Sequence, residues 1–328
     1  MNDLEKKSFL VTTYDTRGSV PVSRSGVNKY GGNTTCLRIE SECIPKGTAL
    51  VIDAGTGFLP LAYDLLKEDV KPVIVLQTHY HHDHTQGFLL APLTFIKVIP
   101  MHLYGPVQNG IGPKEAMETI MRKPFFPIDF KLVSSHFHCH KFEYPQQKVI
   151  LLHPQGGVKM LNVDDYERAL LKDGLMTFAS KQRFNVEECL VVRMHPSEHP
   201  EQTVSFRFEE RPSNKVFCLL TDHESQDGIP MSLKNHLKDV DLLIQDVQYD
   251  EVTYQTRTAG YGHGTPKYAV RLAIAVGAKK LGLTHHDLMA NDEKIDAILE
   301  EAVGCLKSDS SLTADDLFAC QDYGKYLV

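Results

Sequence analysis

The chain has 328 residues, 42% of them hydrophobic and 23% charged, which is the balance of a globular protein with one large core or two modest ones. Its net charge of −7 argues against a duplex nucleic acid as partner, because duplex binding relies on clustered lysine and arginine. The first 15 residues contain no apolar stretch of the length that a secretory leader needs, and the sequence has no run of 18 apolar residues and no CxxC among its seven cysteines. We therefore expect reduced thiols, a cytoplasmic location and no membrane partner.

Strand-like runs fill the first 55 positions, and strand-like and helix-like patterns alternate after them. Several of the apolar runs are short and rich in Val, Leu and Ile, which is typical of strands buried on both faces. Five such runs end in a carboxylate or an imidazole: Asp53, His79, Asp222, Asp246 and His285. This pattern predicts an α/β fold in which the chemistry gathers at one edge of the sheet.

The stretch QTHYHHDHTQG places four histidines and an aspartate within six positions. In an extended loop alternate side chains point the same way, so His79 and His81 can bind one metal ion. Asp83 and His84 follow at the next turn and can bind a second, while His82 points away. Such nitrogen-rich ligation with a carboxylate favours zinc, with manganese or iron as alternatives. A histidine-rich structural loop is the competing interpretation.

The region from 100 to 188 has weaker patterning and is predicted to be an insertion in a single domain that spans 1–328. Such an excursion from the sheet would form a lid, a substrate wall or a dimer contact, and so allows a homodimer. Within it, His136, His138, Cys139 and His140 form a second cluster. We expect a chance grouping there rather than a third metal site, because a closed site needs four convergent ligands.

A helix is predicted after GYGHG, because Thr265 can cap it, Pro266 suits its first position and Gly277 can end it. His263 lies just before that cap, in a glycine-flanked loop.

The stretch THYHHDH resembles the HxHxDH signature of the metallo-β-lactamase-fold hydrolases. Further stretches extend the resemblance in chain order: TRGSVPV (16–22), GGNTTC (31–36), DAGTG (53–57), HPEQTVSFRF (199–208), LLTDHE (219–224), GYGHGT (260–265) and LGLTHHD (281–287). They look like one branch of the fold, the hydrolases close to ribonuclease Z and to the cyclic phosphodiesterase of phosphonate breakdown. The resemblance implies an αββα four-layer sandwich of the α/β class.

The resemblance also implies a set of metal ligands for two divalent ions. One ion would be held by His79, His81 and His199, the other by Asp83, His84 and His285, and Asp222 would bridge the pair.

Two of these assignments have an alternative histidine close by in the sequence. His199 is preferred to His195 because it has the following proline and the spacing of eight residues to Arg207 that the branch shows. His285 is preferred to His286 because it ends the apolar run directly and the next side chain faces the opposite way.

Asp53 is expected to support a ligand histidine by accepting its free N–H, although an aspartate before glycine also suits a turn. Asp83 is expected to pass a proton. His263 occupies the Gly-His-Ser/Thr position of the ribonuclease Z relatives, which implies that it stabilises developing charge or protonates the leaving oxygen. A structural loop histidine is the alternative.

Together these features predict a dinuclear hydrolase that uses a hydroxide held between two metal ions on a small, phosphate-containing substrate, such as a cyclic nucleotide. A lactone, thioester or other carbonyl substrate is an alternative, since the metal ligands activate water and the pocket selects the bond. A flavin-partnered diiron protein is disfavoured, because His81 stands where those relatives carry a carboxylate. A catalytically silent metal-binding or scaffold protein is the alternative from another class.

Overall fold

The computed structural model describes residues 9–143, 147–308 and 310–328. In that part of the chain, one sheet is built from seven strands: β1 (Leu10–Thr13), β2 (Leu37–Glu40), β3 (Ala49–Ile52), β4 (Val73–Leu76), β5 (Met101–Pro106), β6 (Phe137–Phe142) and β17 (Lys325–Leu327). Their spatial order is β17-β1-β2-β3-β4-β5-β6. The pairs from β3 to β6 are parallel and those from β17 to β3 are antiparallel.

Within the same described ranges, a second sheet has eight strands: β7 (Lys148–His153), β8 (Gly157–Asn162), β11 (Leu190–Ser197), β12 (Thr203–Glu210), β13 (Lys215–Leu220), β14 (Leu242–Asp246), β15 (Lys280–Thr284) and β16 (Leu317–Ala319). Their order is β16-β15-β14-β13-β12-β11-β7-β8, with parallel pairing from β13 to β16. Two short strands, β9 (Leu175–Thr177) and β10 (Arg183–Asn185), pair separately.

The described helices are α1 (Phe58–Lys67), α2 (His82–Thr85), α3 (Pro113–Ile120), α4 (Val163–Lys172), α5 (Met231–Leu237), α6 (Glu251–Thr253), α7 (Pro266–Val276) and α8 (Asp292–Gly304). Helices α1 and α3 pack on the first sheet in one apolar cluster, and α5, α7 and α8 pack on the second sheet in another.

The two sheets face each other across a shared core. Successive side chains along each strand point alternately into this core and toward the outer helices. In β3, Leu50 and Ile52 enter the core between the sheets, whereas Val51 packs beneath the outer helices. Phe206 and Phe208 of β12 meet the same central core from the second sheet. This alternation buries both faces of each sheet and gives four layers, helix, sheet, sheet and helix. The predicted four-layer α/β sandwich is confirmed.

The segment 100–188 does not leave the sheets as the sequence analysis expected. It supplies β5 and β6 to the first sheet and β7 and β8 to the second. The connection between β5 and β6 contains α3. The residues after β8 form α4, β9 and β10. A lid or dimer role for these connections stays a prediction.

Helix α7 has the ends that the sequence predicts. Thr265 Oγ1 accepts a hydrogen bond from the backbone N–H of Tyr268 at 3.4 Å, Pro266 is in the first turn, and Gly277 ends the helix with φ 71°. The N-terminus of α7 thereby fixes where the loop with His263 meets the sheet edge. In the part of the chain that the structure describes, no helix combines the length and apolarity that crossing a membrane requires.

Candidate metal centre

The strand ends that the sequence singles out converge at one place. Asp53 follows β3, Asp222 lies two positions after β13, Asp246 ends β14 and His285 follows β15. His79 lies three positions after β4. Because neighbouring parallel strands end at the same edge of a sheet, their terminal side chains share one cleft between the two sheets.

Three of these residues adopt a backbone conformation that non-glycine residues seldom use. Asp53, Asp222 and His285 have φ values of 56°, 49° and 61°. The left-handed region costs such residues about 1–2 kcal/mol, so surrounding contacts must hold them there. The sharp turn after each strand aims the side chain back into the cleft.

A first group of side chains joins His79, His81, His199 and Asp222. One ligand atom from each lies within 4.8 Å of the others, the spacing that a single metal ion requires. The Nε2 of His79 is 3.8 Å from Oδ1 of Asp222. The histidines come from the loop after β4 and from the β11–β12 connection, so both sheets contribute to this group.

A second group joins Asp83, His84 and His285, again with ligand atoms within 4.8 Å of one another. Oδ2 of Asp83 lies 3.3 Å from Nε2 of His285 and 3.5 Å from Nε2 of His84. The same Asp83 oxygen accepts a hydrogen bond from the backbone N–H of Ser19 at 2.7 Å, which fixes the carboxylate.

Asp222 lies between the two groups. Its Oδ1 is 3.5 Å from Nε2 of His285 and its Oδ2 is 3.2 Å from Nε2 of His84. The structure therefore brings all seven predicted ligands together, with Asp222 where a bridging carboxylate belongs. Their role as ligands stays a prediction.

The donor atoms of this cluster fit divalent metal. In the described part of the chain, Nε2 of His79, His84 and His285 is buried without a hydrogen-bond partner. An unpaired buried polar atom is costly, and two metal ions, one for His79 and one for His84 and His285, would satisfy all three. Six donors of nitrogen and carboxylate type plus a shared carboxylate suit two ions such as zinc.

The charges of the cluster point the same way. Burial lowers the pKa of a histidine, but Asp222, Asp83 and Asp53 outweigh it and raise the pKa of His84 well above its usual value. Burial likewise raises the pKa of a carboxyl, yet His285, His84 and His79 hold the pKa of Asp222 well below its usual value. The cleft thus stabilises positive charge at its centre, as a site for divalent cations would.

Asp53 orients His84, a member of the second group. Its Oδ2 lies 2.8 Å from Nδ1 of His84, and Thr78 donates to the same carboxylate through its backbone N–H at 2.8 Å and its hydroxyl at 2.7 Å. With Nδ1–H donating to Asp53, Nε2 of His84 is the ring nitrogen that faces the cleft, where a bound cation would take the place of its proton. Burial raises the pKa of Asp53, and the charge on His84 opposes that rise.

His263 lies at the rim of the cluster and is held by Asp246. Nδ1 of His263 is 2.9 Å from Oδ2 of Asp246, and the His263 ring stacks on the His285 ring at 5.0 Å between centroids. One nitrogen of His263 also lies within 4.8 Å of donor atoms of Asp222 and His285. The contact with Asp246 orients the second ring nitrogen away from that carboxylate.

The neighbouring alternatives lie outside the cluster. Nδ1 of His195 contacts the carbonyl of Pro196 at 2.5 Å, and its ring stacks on His236 at 5.1 Å. Nε2 of His286 donates to the carbonyl of Cys320 at 3.2 Å, and burial lowers the pKa of His286 to about 3. His82 is exposed.

The histidine cluster of strand β6 is also separate from the metal centre. His102 stacks between His138 at 4.7 Å and His140 at 5.5 Å, and Nε2 of His136 contacts the carbonyl of Leu93. Among the residues described, these side chains do not form a group of three with converging ligand atoms.

The organisation of the loop before α7 is not predictable from its local sequence pattern. Nδ1 of His199 donates to the carbonyl of Gly262 at 3.0 Å, so this loop orients a predicted ligand as well as presenting His263. Glu224 in turn accepts from the backbone N–H groups of Gly260 and Gly262, both at 2.7 Å. The glycines of GYGHG were a signal for close backbone approach, but the partners lie 36 and more positions away.

A comparison with models of protein families finds none that matches the chain, and one with curated proteins finds no similar sequence. Among solved structures, the metallo-β-lactamase fold protein YhfI from Bacillus subtilis is 18% identical with a TM-score of 0.61, over 98% of this chain and 100% of YhfI. Human tRNase Z, short form, is 16% identical with a TM-score of 0.56, over 97% of this chain and 98% of that one. Unliganded yeast PDE1 is 10% identical with a TM-score of 0.60, over 98% of this chain and 100% of that one. At such identities the likeness concerns the fold, and together with the two sheets and their outer helices it shows that this chain has the metallo-β-lactamase fold.

Proposed function

We propose that the protein is a dinuclear metal-dependent hydrolase that cleaves a small phosphodiester. The observation that carries this proposal is a pair of side-chain groups with Asp222 between them: His79, His81 and His199 on one side, and Asp83, His84 and His285 on the other. Two bound divalent ions would lower the pKa of a water molecule between them and polarise a phosphoryl oxygen. Zinc is the first candidate, with manganese and iron as alternatives.

The protein groups around the cleft supply the proton transfers. Attack of a water oxygen on phosphorus forms one P–O bond, and the leaving oxygen departs with the electron pair of the bond that breaks. The attacking water loses a proton, which the carboxylate of Asp83 is placed to accept. His263 donates a proton to the leaving oxygen, and Asp246 at 2.9 Å stabilises the imidazolium form from which the proton comes.

The choice of a phosphodiester is supported by the solved structures of similar fold that include a tRNase Z and PDE1. The net charge of −7 favours a small substrate over a duplex nucleic acid, because no excess of lysine and arginine is available to neutralise a polyanion. A small phosphate-containing molecule is therefore the proposed substrate. A homodimer and a cytoplasmic location stay predictions.

The test is a hydrolysis screen with protein whose zinc or manganese content has been measured. Substrates are bis-p-nitrophenyl phosphate, 2′,3′- and 3′,5′-cyclic nucleotides, a lactone and a thioester, with Asp222→Ala as the blank. Turnover of at least one phosphodiester, absent from the blank, supports the proposal. Turnover of the lactone or thioester alone contradicts the phosphodiester assignment, and no turnover by metal-replete protein contradicts the hydrolase.

A matched pair of variants tests the ligand assignment within one short helix. His84→Ala removes a buried donor of the second group, whereas His82→Ala removes an exposed side chain two positions earlier. We expect His84→Ala to lose metal and activity and His82→Ala to keep both. Equal losses in the two variants would contradict the assignment.

A further inference from the structure

A cavity of about 200 Å³ lies beside His263, outside the cluster of predicted metal ligands. Its walls include Glu224, Tyr254, His263, Lys267, Tyr268 and Arg271. In the described part of the chain, none of the seven predicted ligands lines it. His263 is therefore the residue through which the cavity and the metal centre meet.

Two cations of this cavity are free to bind a ligand. Lys267 and Arg271 are one turn apart on α7, so they share a face of the helix, and both are exposed. Across residues 9–143, 147–308 and 310–328, neither side chain makes an ion pair, in contrast to Lys279 and Lys294 on nearby elements. The guanidinium of Arg271 lies over the ring of Tyr268, 5.6 Å from its centroid, which holds it at the cavity wall.

The carboxylates of the cavity, by contrast, are engaged by protein donors. Glu224 accepts from the hydroxyl of Tyr254 and from two backbone N–H groups of the 260–262 loop. Oε1 of Glu251 accepts from the backbone N–H of Lys267 at 3.2 Å. These contacts engage both oxygens of Glu224 and one oxygen of Glu251. Among the residues described, the charged side chains of the cavity that no hydrogen bond or ion pair engages are therefore the two cations.

We propose that this cavity binds a second anionic group of the substrate, a phosphate or carboxylate carried by the leaving alcohol. The proposal rests on the proposed function: if His263 protonates the leaving oxygen, the leaving fragment lies on the His263 side of the scissile bond. Pockets for whole small-molecule ligands usually measure roughly 300–1,000 Å³. A cavity of about 200 Å³ is therefore sized for one part of a substrate, such as a charged group and its linker.

A matched pair of substrates separates charge recognition from catalysis. Methyl 4-carboxyphenyl phosphate releases a phenol that carries a carboxylate, and its methyl ester releases one of similar shape without the charge. We expect Lys267→Gln and Arg271→Gln each to lower kcat/KM about tenfold for the carboxylate substrate, since each removes a charge-assisted contact. For the ester substrate we expect less than a twofold change. Lys172→Gln, an exposed lysine on α4, is the control and should alter neither.

A second measurement does not depend on turnover. Inorganic phosphate is titrated by calorimetry into chelator-stripped protein and into the double variant of Lys267 and Arg271. Binding at least tenfold weaker in the double variant, with Lys172→Gln unchanged, supports the anion site. Equal phosphate affinity, or equal losses of kcat/KM on both substrates, overturns it. One further outcome separates the two proposals. If the wild type hydrolyses no substrate but binds phosphate, and the double variant loses that binding, the anion site is supported and the phosphodiester chemistry is refuted.

Discussion

The loop before α7 provides a sharp test of how the metal centre is positioned, through the substitution Gly262→Ala. Gly262 has φ 92°, and a Cβ added there would lie 2.2 Å from Nδ1 of His199 and 2.4 Å from Cδ of Pro200. Ordinary contacts of a Cβ begin near 3.4 Å, so the His199 ring must retreat by roughly 1 Å. Its hydrogen bond to the Gly262 carbonyl would be lost with that movement.

The magnitude follows from two terms. A left-handed φ costs alanine about 1–2 kcal/mol of unfolding free energy. Disturbing a residue that orients a ligand histidine typically weakens metal binding by roughly 10- to 100-fold, which is about 1.4–2.7 kcal/mol. We therefore expect Gly262→Ala to lower the affinity for the ion at His79, His81 and His199 by that factor. The ion of the Asp83, His84 and His285 group should keep its affinity.

Gly157→Ala is the matched control for this test. Gly157 has φ 83°, but its added Cβ would meet nothing within 4 Å. It should lose the same conformational free energy in a urea titration while both zinc affinities, measured against a chromophoric chelator, stay as in the wild type. Wild-type zinc binding by Gly262→Ala, or equal weakening in Gly157→Ala, would refute the reasoning.

Three further predictions concern groups around the cleft and in the core. Asp53→Asn replaces the acceptor 2.8 Å from Nδ1 of His84 and should weaken the second ion by roughly 10- to 100-fold in the same zinc titration. Asp246→Asn should lower kcat by roughly 100-fold or more, because the carboxylate that stabilises the proton-donating form of His263 is lost. The zinc stoichiometry should stay at the wild-type value. Burial lowers the pKa of His236 well below 6.5, so the unfolded chain takes up a proton that the folded chain excludes. The stability from His236 is therefore present above pH 6.5 and lost as the pH falls, and His236→Gln should show a smaller drop in unfolding free energy between pH 7.5 and 5.5.

Each of these three has an outcome that contradicts it. Unchanged zinc affinity in Asp53→Asn would show that the carboxylate does not orient His84. Loss of zinc from Asp246→Asn would assign that residue to the metal centre itself. For His236, a drop in stability on acidification equal to that of the wild type would place the titrating group elsewhere.

The central fold was accessible from sequence because its strands carry a strong local pattern. Runs such as 49–52 and 73–76 are wholly apolar and end at a polar residue, and both are strands buried on two faces. Strand β6, FHCHKF, has no such pattern, since it is an edge strand with histidines on one face. The wrong expectation for the region from 100 to 188 is explained by β6 only in part, because β7 in the same region, KVILLH, carries an apolar run and is buried.

The candidate site was partly accessible for a different reason. His79, His81, Asp83 and His84 are close in sequence, so their spacing alone suggested two pairs of ligands. The choice of His199 needed the resemblance, and its following proline does not discriminate, because Pro196 also follows His195.

Contacts between distant segments were beyond the reach of local patterns. Asp246 stood out as a strand end, yet its partner His263 lies 17 positions later across a loop whose path the sequence does not specify. The hydrogen bonds from the backbone of the 260–262 loop to Glu224 depend on the same path. Long-range hydrogen bonds of this kind follow from the packing of whole elements, and periodicity within one element does not encode them.

The most direct test of the metal centre is the zinc stoichiometry of chelator-stripped protein, measured by titration and by elemental analysis after desalting. We predict two ions per chain for the wild type and for His195→Ala, and fewer than two for His199→Ala and Asp222→Ala. A wild-type protein that binds no zinc, or an Asp222→Ala variant that still binds two ions with wild-type affinity, would contradict a dinuclear centre bridged by Asp222.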